Sequence, residues 1–187
     1  MDRIIKAFTF KTEVYSEVES DSSFTTTAWV IVAVASFLSA LGSLSLDNFG
    51  TSLLAAVGSA IFALIGFALL AFLISWVGRV VYKADVTFNE LVRTVGLASV
   101  WQAVGFLGIL GLISSTLTCL VMPAIFIGWI LWLVSAFIAA KEALDLDWVK
   151  TIIAVILGFV VNFVVFVVGG LILAAIGIGG AALFGAF

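Results

Sequence analysis

The sequence has no histidine, one cysteine, one proline and few charges. Each shortage excludes something. Without histidine the chain lacks the side chain most used for acid–base work near neutrality and the commonest metal ligand. No Ser/His or Cys/His nucleophile pair can form either. Cys119 has no second cysteine for an internal disulfide. The eight lysines and arginines are scattered, with no basic run and no basic helix face, so nucleic-acid binding has no footprint. The net charge of -3 points to no class of partner. A phosphate loop is missing too. Gly105, Gly108 and Gly111 recur every third residue in an apolar segment, and no lysine follows them.

What is present is apolar surface. The chain is 64% hydrophobic and 10% charged, where a soluble domain is about 45–50% apolar and about 25% charged. A chain of this size cannot hide that excess in a core, and a soluble form would expose aggregating patches. Lipid as the solvent removes the conflict. The fold expected is an all-α, multi-pass transmembrane bundle of five spans, at about 26–44, 51–77, 95–113, 120–140 and 149–174.

The remaining segments follow from local chemistry. Residues 1–24 are mixed in character, unlike a signal peptide, in which an apolar stretch follows a short basic start at once. Met1, Ile4, Phe8, Tyr15 and Val18 share one side of a helical wheel, which predicts short interfacial helices with Lys11 snorkelling; the alternative is a frayed tail. Thr87 and Glu90 have capping-box spacing, with Val86 and Leu91 placed as a hydrophobic staple. A helix is therefore expected to begin near Phe88, and Asp85, Glu90 and Arg93 read as helix-start chemistry rather than a site. Pro123 is expected in the first turn of span four, and Asp147 as the N-cap of span five. No charge follows Lys150 for 37 residues, about 55 Å of continuous helix. A break is expected at Gly169-Gly170 or Gly177-x-Gly179-Gly180, leaving an apolar tail over 176–187 or a short sixth helix.

Five spans put Arg3, Lys6, Lys11, Arg79, Lys83, Arg93, Lys141 and Lys150 all on one side. The positive-inside rule then places the N-terminus in the cytoplasm and the C-terminus outside. Trp76, Tyr82 and Trp148 fall near that inner interface as aromatic anchors.

Within the expected spans no residue is ionisable apart from Lys150 at the margin of the fifth, which argues against proton-coupled transport and voltage sensing. Gln102 and Asn162 are the strongest polar groups there, suited to interhelical hydrogen bonds or to lining a solute path. Small residues recur at every fourth position, in Ala35/Ser39/Ser43, Ala55/Ser59/Ala63 and Ala154/Gly158 before Asn162. Such faces let backbones approach within the bundle, or serve a partner. On the cytoplasmic side Glu13, Glu17, Glu19 and Asp21, joined by Glu142, Asp145 and Asp147, make an acidic surface that is either a solvated face or a candidate interaction face.

Three stretches carry a family resemblance. They are Thr12 to Asp21 running into a small-residue-rich span, Ala84 to Ala98, and Lys141 to Asp145. The most specific part is Phe88-x-Glu90-Leu91-x-Arg93-x-x-Gly96. Over roughly residues 10–175 the chain resembles the Yip (Ypt-interacting protein) family of five-span membrane proteins, most closely its prokaryotic members. Trp101 stands where many relatives carry proline. The resemblance implies an N-in, C-out bundle. It implies no enzyme activity, cofactor or catalytic residue, and in eukaryotes the family is associated with vesicle traffic and small-GTPase-linked membrane organisation. The function expected is non-enzymatic membrane organisation or scaffolding. A channel or carrier for a small neutral solute and an accessory subunit of a larger complex remain as alternatives. The partners expected are the lipid bilayer and a membrane protein or second copy, with no cofactor or metal.

Overall fold

A computed structural model describes residues 2–47 and 49–175, and all of its regular structure is helical. Two short helices, α1 (Asp2–Phe8) and α2 (Glu13–Ser20), precede α3 (Phe24–Leu41) and α4 (Phe49–Tyr82). Next comes α5 (Phe88–Ala98), which runs into a 3₁₀ helix (Ser99–Leu112), followed by α6 (Ser115–Leu144) and α7 (Trp148–Ala175). Among the described residues four stretches are long and apolar enough to cross a membrane: Phe24–Leu41, Phe49–Tyr82, Phe88–Leu112 and Thr116–Leu144. A shorter apolar stretch, Trp148–Val164, lies in α7. The chain is a multi-pass helical bundle.

The long helices outrun their uncharged segments. With 34 residues α4 is about 51 Å long, against a hydrocarbon core of about 30 Å. One face of its C-terminal half is packed against the bundle. Leu70, Ala71, Ile74 and Val77 are buried there, as are Ala136, Ala139, Ala140, Ala143 and Leu144 of α6. Between them every residue of α5 from Leu91 to Ala98 is buried. This is the hydrophobic core of the molecule, and it sits where the ionic residues cluster.

Two starting signals act locally. Thr87 Oγ1 accepts from the Glu90 backbone N–H at 3.3 Å, and the Glu90 carboxylate accepts from the Thr87 backbone N–H at 2.7 Å. Ser114 caps α6 by accepting from the Thr116 N–H at 3.2 Å. That early start corrects one expectation: Pro123 lies inside α6, not in its first turn. Proline cannot donate to the carbonyl four residues back, a defect that spanning helices tolerate when packed among neighbours. The Gly169-Gly170 pair does not end α7, which continues to Ala175. The second candidate break and the tail lie outside the described residues.

The third crossing is unusual. Its 14-residue 3₁₀ portion rises about 2.0 Å per residue, or about 28 Å in all. Three residues per turn stack Ser99, Gln102, Gly105, Gly108 and Gly111 along one edge. That edge meets α3. A Cβ on Gly105 would collide with Ser39, and one on Gly108 with the Gly42 carbonyl. The glycines therefore set a backbone-to-backbone approach. On another edge Val104 packs against Gly128 of α6.

The N-terminal helices depart from a simple interfacial role. Val14, Tyr15 and Val18 of α2 are fully buried against protein. In α1, Ile5 stays 63% exposed, while Phe8 packs edge-on against Trp101, on which Phe10 stacks. Met1 lies outside the described residues.

Candidate functional site

Two long-range ties fix α2 to the bundle. Tyr15 Oη and Ser135 Oγ of α6 share a buried hydrogen bond across 120 positions of sequence. Arg93 of α5, only 7% exposed, donates through Nη2 to the Glu19 carbonyl and through Nη1 to Thr25 Oγ1 at 3.3 Å. The Glu19 carbonyl is among the last four of α2, which have no partner within the helix. A guanidinium there satisfies one of them and complements the negative end of the helix dipole. Arg93 is thus a clamp, and the helix-start reading holds for Thr87 and Glu90 alone. A cation on an otherwise apolar helix face was the available signal.

The structure divides the expected acidic face. Glu17 and Asp21 turn toward α1, where Arg3 Nε donates to Glu17 at 2.9 Å and Nη1 to Asp21 at 2.7 Å, with Lys6 3.7 Å from Glu17. Hydrogen bonds from Ser23 and then Arg3 hold the Asp21 carboxyl below its usual range. Glu13 is exposed. Asp147 turns to α7, accepting from the Lys150 N–H at 3.0 Å and pairing with its ammonium at 2.9 Å. Glu19 faces the other way, toward Asp145, Glu90 and Glu142, with Arg93 nearby. Burial first, then the charges of Asp145, Glu90 and Glu142, push its carboxyl up to about 7, and Arg93 offsets only part of this. Glu142 itself lies 3.6 Å from Lys141.

The polar groups within the spans are separate from this cluster. Gln102 is half-buried on the glycine edge of the 3₁₀ helix. Asn162 Oδ1 is buried without a hydrogen-bond partner among the described residues. A groove of about 350 Å³ lies on α4, lined by Phe72, Ser75, Trp76, Arg79 and Val80, and it includes neither residue. Among the described residues no three Cys, Asp or Glu side chains are grouped to hold a metal ion.

Long apolar helices, thinly buried outside the ionic end, define an integral membrane protein of the multi-pass α-helical class. The family follows from the whole chain: a model of the Yip1 domain matches residues 5–170, and the protein belongs to that family. The match takes in α2 and its Arg93 clamp as well as the spans. No curated protein and no solved structure matches the chain.

Proposed function

We propose that the protein is a non-enzymatic membrane organiser, crossing the bilayer five times with its N-terminus in the cytoplasm, and that it works through a rigid face at the ionic end. The observation that carries this reading is the docking of α2. Tyr15 and Arg93 convert a short amphipathic segment into a fixed part of the bundle. A preorganised surface binds a partner without the cost of ordering it first. Glu13 and Glu142 sit at this end with no role in the clamp, and are the side chains assigned to partner contact.

Crosslinking in intact cells, read by mass spectrometry, tests the assignment. Glu13→Lys combined with Glu142→Lys is expected to change the set of captured partners while membrane insertion stays normal. An unchanged set would remove the face from consideration. A cysteine at position 83, with Cys119→Ser to remove the exposed native thiol, tests the orientation, because a membrane-impermeant reagent added outside the cell should leave it unlabelled.

A further inference from the structure

We propose that the outer face of α4 binds the headgroup of an anionic glycerophospholipid from the surrounding bilayer, with Arg79 as the residue that recognises its phosphate. Phe72, Ser75, Trp76, Arg79 and Val80, at helical spacing, line a single groove there. The opposite face of the same turns points into the protein. Gly78 passes against Leu144 and Val86, and Ile74 meets Gly158 of α7. The groove therefore opens away from the bundle. Phe72 and Trp76 are each 53% exposed and Val80 is 60% exposed, an apolar wall suited to acyl chain.

Length places the cation. The exposed stripe of α4 runs through Leu54, Val57, Ile61, Ile65, Phe72, Trp76 and Val80. From Leu54 to Arg79 it covers about 38 Å at about 1.5 Å per residue. That exceeds the hydrocarbon thickness of about 30 Å but not the full bilayer of about 40–45 Å. A stripe bathed in lipid along its length thus ends with a guanidinium at headgroup depth, beside an aromatic ring suited to the interface.

Charge completes the case. Arg3 is engaged by Glu17 and Asp21, and Arg93 by Glu19 and Thr25. Among the described residues Arg79 meets no carboxylate and makes no hydrogen bond. Its planar fork matches phosphate oxygens in pairs. Ser75 Oγ donates to the Phe72 carbonyl at 2.8 Å, so it has no donor left and recognition falls to Arg79.

The test uses the full chain in vesicles of phosphatidylcholine and phosphatidylglycerol at one fixed composition, with brominated chains on one lipid or the other. Trp76 is read as the fluorescence lost in Trp76→Phe. Brominated phosphatidylglycerol is expected to quench it with about a fivefold preference, the equivalent of about 1 kcal/mol for one cation at the surface. The preference should disappear in Arg79→Gln, persist in Lys83→Gln and ignore added inorganic phosphate, which separates a lipid from a free anion. Equal quenching by the two lipids overturns the proposal. So does a preference that survives Arg79→Gln, one lost equally in Lys83→Gln, or one abolished by inorganic phosphate. Shielding of Trp76 from both lipids also overturns it and points to a second copy on this face. None of these outcomes depends on the partner surface proposed above.

Discussion

The two ends of the bundle are built by different rules. At the ionic end α5 is buried along most of its length, between α2, α3, α4 and α6. Towards the other end Leu54, Ile113, Leu120 and Phe126 are 65–75% exposed in round terms, at 74%, 73%, 69% and 68%. Water favours the first arrangement on the side that carries α2 and the start of α5, because every apolar side chain left in it costs free energy, while on the outer face of α4 Phe72, Trp76 and Val80 stay more than half exposed. Lipid relaxes the second, since hydrocarbon solvates leucine as well as protein does. Contact there depends on close backbone approach, and Gly42, Gly105 and Gly108 supply it. The buried ionic group and the glycine seam are therefore the sensitive points, while the apolar surface between them is not.

The largest effect is expected at the clamp. Arg93→Ala should cost about 3 kcal/mol, because it removes a buried guanidinium and leaves an uncompensated acidic cluster and an orphaned carbonyl at Glu19. Thermal unfolding in detergent measures this, and early proteolysis between α1 and α3 should accompany it. Leu120→Ala, on the lipid-exposed surface, should stay within about 0.5 kcal/mol. Similar losses for the two variants would erase the distinction between the ends. Next comes Gly105→Ala, whose methyl group must displace Ser39, at about 2 kcal/mol. If it proves neutral in the same assay, the seam between α3 and the 3₁₀ helix is loose and the lipid half has no sensitive point.

Sequence reading reached what is local or periodic. The Thr87/Glu90 box closes within one turn, so spacing alone revealed it. The stripe Ala154/Gly158 was visible at period four, and Gly158 does pack on Ile74. Gly105, Gly108 and Gly111 recur at period three, which is the 3₁₀ repeat, so their spacing marks that helix as well as the lack of a phosphate loop. Placing all cations on one side of the membrane grouped the acids by side, but not by direction. Glu17 of α2 and Asp21, the C-cap of that helix, are four residues apart and both turn to Arg3, whereas Glu19 lies on the far side of the helix. That split was readable from spacing. The ties Tyr15–Ser135 and Arg93–Glu19, separated by 120 and 74 positions, were not. Tertiary packing alone brings those residues together.

The smallest effect separates burial of charge from burial of apolar surface at the ionic end. The Glu19 carboxyl is raised from 4.5 to about 7 by burial and by the charges of Asp145, Glu90 and Glu142, against the smaller opposing effect of Arg93. An acid with a higher pKa in the folded state holds its proton more tightly there than in the unfolded chain. Its stabilising contribution is complete below about pH 4.5 and is lost as pH rises through about 7. Asp21 and Asp147 are shifted the opposite way, below their usual value of 3.8. Their contributions are lost only in stronger acid, so the interval from mildly acidic to mildly alkaline pH isolates Glu19. Glutamine copies the protonated acid without the ability to ionise. Glu19→Gln should therefore raise the unfolding temperature at alkaline pH, by a free energy on the order of 1 kcal/mol once solvent screening is allowed for. The gain should vanish on acidification, when the native glutamate is itself neutral. A gain of the same size at both pH values would mean that α2 is held by apolar burial and the Arg93 clamp alone, with the acidic cluster a bystander to its docking.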